Sequence, residues 1–72
     1  MTLGQILKRN GIKQVEVVEV LLKKYGHAIA ESTFNQFCKN PGCGYKGSWG
    51  IVRTCLENDF GIVYGKGGWN KQ

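Results

Sequence analysis

An all-α fold, a compact bundle of four to five short helices, is what this 72-residue sequence predicts, and three observations predict it. Apolar residues recur at i, i+3, i+4 spacings through most of the first sixty positions. Glycines at 11 and 26 stand where such stripes end, as helix stops do. Eight of the eleven glycines lie between Gly42 and Gly68, so the irregular segments are concentrated in the second half. A chain of this length buries only about 60% of its unfolded surface, which leaves room for one domain with a thin core.

Helix 1 is predicted over residues 3–10, with Leu3, Ile6 and Leu7 as its stripe, Thr2 as N-cap and Asn10-Gly11 as stop. Helix 2 opens at Lys13 or Gln14 and places Val15, Val18, Leu22 and Tyr25 on one face, with Val17 and Leu21 beside them. Its valines favour a strand, but its length and the Leu21-Leu22-Lys23-Lys24 run favour a helix. Gly26 supplies its C-cap. Helix 3 covers residues 30–38, where Ile29, Phe34, Phe37 and Cys38 point inward. Ser48 caps a fourth helix with Val52, Cys55, Leu56 and Phe60 on its dry face and Trp49 as a lid. The expected core is Leu3, Ile6, Leu7, Val15, Val18, Leu22, Phe34, Phe37, Val52, Leu56 and Phe60. Ile62 to Tyr64 forms a short strand or covers the core. Residues 65–72 are read as a flexible, glycine-rich basic tail, which leaves 1–64 as the domain.

The outer face of helix 3 carries Glu31, Ser32, Thr33, Asn35 and Gln36. A solvated face ordinarily carries Lys and Glu, whereas hydroxyls and amides are what a major-groove reader presents to base edges. Ser32, Thr33, Asn35 and Gln36 are therefore the candidate base-reading residues. Ten Lys+Arg against five Asp+Glu give a net charge of +5, and no acid occurs from Ser32 to Leu56, a segment holding Lys39, Lys46 and Arg53. That balance favours a polyanionic partner. Gln14, Lys39, Asn40, Lys46 and Ser48, at a helix start and in the loop after helix 3, are the candidate phosphate contacts.

Taken together, Gly11-Ile12-Lys13-Gln14 through Leu21 and Ile29-Ala30-Glu31-Ser32-Thr33-Phe34-Asn35-Gln36-Phe37 resemble helices 2 and 3 of helix-turn-helix DNA-binding domains of the lambda-repressor and Cro type. Leu56 to Ile62 resembles the end of that family's last helix. The resemblance covers about residues 2–63. It implies a double-stranded DNA-binding regulator of phage or bacterial type that reads the major groove with helix 3. Seven residues separate Leu21 from Ile29, so helix 2 is longer, or the turn looser, than the family's. Ala30 stands where a capping Ser is frequent. A homodimer is compatible with the sequence, which has no heptad or clear edge strand to decide it.

Other chemistries are less well supplied. His27, Cys38, Cys43 and Cys55 total the four ligands of a Cys3His zinc site, but no Cys-x-x-Cys pair is present, and Cys38 and Cys55 fit apolar faces. No metal or other cofactor is expected. No catalytic acid pair and no phosphate-binding glycine motif occur, so an enzyme is not expected. The remaining alternative is a small protein-interaction module using helix 2 or the aromatic tail. The chain lacks a signal-like start and any apolar run of ~20 residues, and three cysteines cannot all pair, which points to a cytoplasmic protein and away from a membrane.

Overall fold

A computed structural model describes residues 1–39, 49–65 and 67–72, with Trp49 described only by its place in a helix. In order come α1 (Leu3–Arg9), α2 (Gln14–Tyr25), α3 (Glu31–Lys39) and α4 (Trp49–Cys55), which runs on into a π-helical turn (Leu56–Phe60). A hairpin follows, made of β1 (Ile62–Gly65) and β2 (Gly68–Lys71). The antiparallel register pairs Ile62 with Lys71, Val63 with Asn70, Tyr64 with Trp69 and Gly65 with Gly68.

The helices begin and end where local chemistry dictates. Thr2 Oγ1 accepts from Gln5 N–H at 3.3 Å and Gln5 Oε1 accepts from Thr2 N–H at 2.9 Å, a reciprocal cap that satisfies two otherwise orphaned donors. At the start of α2, Glu16 Oε1 accepts from Lys13 N–H. Gly26 ends α2 in the left-handed region, φ +64°, so that His27 N–H turns back to Leu21 C=O at 2.9 Å. The extra length between Leu21 and Ile29 is thus taken up mainly by helix, which runs on to Tyr25 and leaves five residues, Gly26 to Ala30, before α3.

The purely helical expectation is wrong, and so is the flexible tail. Residues 62–65 and 68–71 pair as strands, and Trp69, at the centre of β2, is fully buried. Its ring meets Tyr64 at 5.2 Å and Phe37 at 6.1 Å between centroids, both edge-on. A segment too rich in glycine to fold alone is ordered here by burying one large indole, which removes some 150–250 Å² of mostly apolar surface from water. Burial carries it without help from the indole N–H, which has no hydrogen-bond partner among the described residues. The N-terminal residue packs on the same hairpin: Trp69 N–H donates to Met1 C=O at 3.1 Å, and the Met1 amine donates to Gly67 C=O at 3.1 Å. Gly68 adopts φ +103°, and a Cβ there would lie 2.7 Å from Met1 O, so only glycine fits.

The dry side of α2 also differs from expectation by one position. Val17 and Leu21 are buried, Val18 is half-buried, and Val15 and Leu22 are 42% and 55% exposed. Two adjacent stripes are both helical in period. The one facing α3 and α4 leaves Tyr25 at the edge, where its hydroxyl donates to Asp59 Oδ2 at 2.7 Å. Asp59 also accepts from Lys24, so the π-helical turn is tied to the end of α2 by one carboxylate. The other expected core residues are buried except Phe60, which is half-buried, and Cys38, Cys55 and Ile62 join them.

Candidate nucleic-acid interface

α3 is held by its dry face. Phe34, Phe37 and Cys38 are buried, Phe34 and Phe37 stack at 6.3 Å, and α1 and α2 pack against the helix from behind. What remains outward follows from 100° of rotation per residue. Ser32, Asn35, Gln36 and Lys39 fall on one sector with Glu31 at its edge. Thr33, about 100° round from Ser32, lies on the other flank.

That sector forms one wall of an open depression of about 500 Å³, with Gln14 at the first turn of α2 on the other side. Its lining is Gln14, Glu31, Ser32, Asn35, Gln36 and Lys39. Three primary amides, a hydroxyl, one carboxylate and one ammonium thus converge from two helices. None of these six side chains is hydrogen-bonded or ion-paired to a described residue. The depression therefore offers donors and acceptors that the fold itself does not consume. Glu31 sits in the first turn of α3 and Lys39 in the last, each favourable to the helix dipole. They lie eight residues, about 12 Å, apart along the helix axis.

Three of the four candidate base readers, Ser32, Asn35 and Gln36, are brought together here. Thr33 is exposed but does not line the depression. Of the candidate phosphate contacts, Gln14 is half-buried beside the readers and Lys39 is exposed at the far end; Asn40, Lys46 and Ser48 lie outside the described residues. Glu31 was not singled out by sequence, although its place in the first turn, next to Ser32, was the available signal.

Comparison with family models, with curated proteins and with solved structures returned no match.

The cysteines occupy a different part of the molecule. Cys38 and Cys55 are both interior, and burial pushes their thiols up to about 12 and about 11. Metal ligation needs thiolates, which that environment opposes. His27 is half-buried in the link before α3, and Cys43 lies outside the described residues. Among the described residues no three His, Cys, Asp or Glu side chains gather closely enough to hold an ion. No helix among them is long and apolar enough to cross a membrane.

Proposed function

We propose that this protein binds double-stranded DNA, seating α3 in the major groove, and acts as a regulator of phage or bacterial type. The observation that carries the reading is the depression between α2 and α3. Its amides match what adenine presents at N6 and N7, and a major groove about 12 Å wide admits one helix with its first turns toward base edges. An enclosed apolar pocket would suit a small molecule; an open polar one suits an extended partner. The net charge of +5 and Lys39, which has no ion-pair partner among the described residues, supply attraction to phosphate.

The test is duplex binding measured across a salt series. Phosphate-dominated binding loses orders of magnitude in affinity from low to moderate salt. Lys39→Ala should weaken selected and random duplexes alike and lower the salt slope by about one. Gln36→Ala should weaken the selected site by about 1–3 kcal/mol and leave random duplex nearly unchanged.

A second reading rests on α2, whose Val15 and Leu22 are exposed on one face. A protein partner docking there would be held by apolar contact, and its affinity would hardly respond to salt. The same titration separates the two.

A further inference from the structure

Resting on the DNA-binding reading, we propose that Glu31 is a specificity residue that selects cytosine at one position of the target. Glu31 lines the depression with Ser32, Asn35 and Gln36, in the first turn of the inserted helix, and its carboxylate has no partner among the described residues. An ionised carboxylate only accepts hydrogen bonds. In the major groove, guanine shows O6 and N7 and thymine shows O4, all acceptors, so both repel it. Adenine offers the N6 amine with the N7 acceptor beside it. Cytosine offers the N4 amine as its hydrogen-bonding group, the best match to an acceptor-only side chain.

Position along the helix sharpens this. The two ends of the depression carry opposite charges, Glu31 at the start and Lys39 at the end, with amides and a hydroxyl between them. A carboxylate set against a phosphate would cost affinity for every sequence, whereas one held over a base edge penalises only the wrong bases. The amides of Gln14, Asn35 and Gln36 tolerate several partners because each can donate and accept. Glu31 alone in this group cannot donate, so it discriminates by exclusion as well as by attraction.

The experiment is selection from a random-core duplex library with the wild-type protein and with Glu31→Gln, followed by Kd measurements on the selected sites at fixed salt. Gln is close in shape, a good helix former, and able to pair with adenine N6 and N7. The wild type should specify cytosine at one position. The variant should change that position alone to adenine, the preference ratio between the two bases moving by roughly 10- to 100-fold. An unchanged selected sequence overturns the inference while leaving the DNA-binding reading intact. A uniform rise in affinity for all duplexes does the same, since it would put the carboxylate against phosphate. If the wild type binds no duplex in a salt-sensitive manner, the inference falls together with the reading beneath it.

Discussion

The first two helices and the closing hairpin are held by different means. Each of α1 and α2 is closed by residues within a few positions of its own ends: Thr2 with Gln5, Lys13 with Glu16, and His27 with Leu21 across Gly26. The hairpin has positive-φ glycines at its turn, Gly67 at φ +86° and Gly68 at φ +103°, but its place in the domain is fixed by distant partners, Phe37 against Trp69 and Met1 against residues 67 to 69. Glycine illustrates the contrast. At 26 it ends a helix for the sake of its own backbone, and at 68 it makes room for a segment from the other end of the sequence. Local punctuation shapes the parts, and long-range burial decides which parts belong to the domain.

The largest effect is expected at Trp69. Trp69→Ala should destabilise the whole domain by about 3–5 kcal/mol in denaturant unfolding, as expected for a buried aromatic, whereas a loose tail would show no change. Leu21→Ala should cost about 2–5 kcal/mol by the same measurement. Gly68→Ala combines a positive φ with a backbone collision at Met1, and should cost about 2 kcal/mol or more, visible as a lower melting temperature.

The Asp59 cluster makes stability depend on pH. Hydrogen bonds from Lys24 and Tyr25 hold the Asp59 carboxyl below its ordinary 3.8, and the same carboxylate raises Lys24 above 10.5 and Tyr25 above 10.0. A depressed carboxyl stabilises the fold above its unfolded value, and that contribution disappears as pH falls through the lower folded one. The raised Lys24 and Tyr25 contribute below about pH 10 and lose their effect as pH climbs through their folded values. Thermal melts should therefore show this contribution flat from about pH 5 to pH 9 and declining at both ends. Asp59→Asn should flatten the acid limb. The smallest effect is expected next door to one of the largest: Leu22→Ala should change stability by no more than about 0.5 kcal/mol, because the side chain is 55% exposed.

How much could be read in advance follows the same division. The boundaries of α1 and α2 were legible because caps and glycine stops are written within a few positions of where they act, and α3 was legible from its 3.6-residue period. The polar face of α3 was legible too, since the inward pull of Phe34 and Phe37 orients everything else on that helix. The dry face of α2 was ambiguous: Val15-Val18-Leu22 and Val17-Leu21 are stripes of the same period, and only contact with α3 and α4 chooses between them. The strand pair was hidden because glycine in Gly65 to Gly68 suits a hairpin turn as well as a loose tail; its order depends on an aromatic slot built by Phe37 and Tyr64. Within the depression, the place of Gln14 beside Ser32 and Gln36 depended on how two helices meet, which spacing alone does not give.

The bonds from Met1 to the hairpin join positions as much as 66 residues apart, and this has a consequence for the order of assembly. Helix turns form from neighbours within microseconds, while contacts of such large sequence separation wait on a long loop closing. During synthesis α1 through α3 are made well before residue 69, and the contact between the Phe37 ring and the Trp69 indole waits until then. The nascent chain therefore passes through an interval in which its helices can form but its aromatic cluster is incomplete. Docking of the last strand is the expected slow step, because it closes the longest loop in the domain.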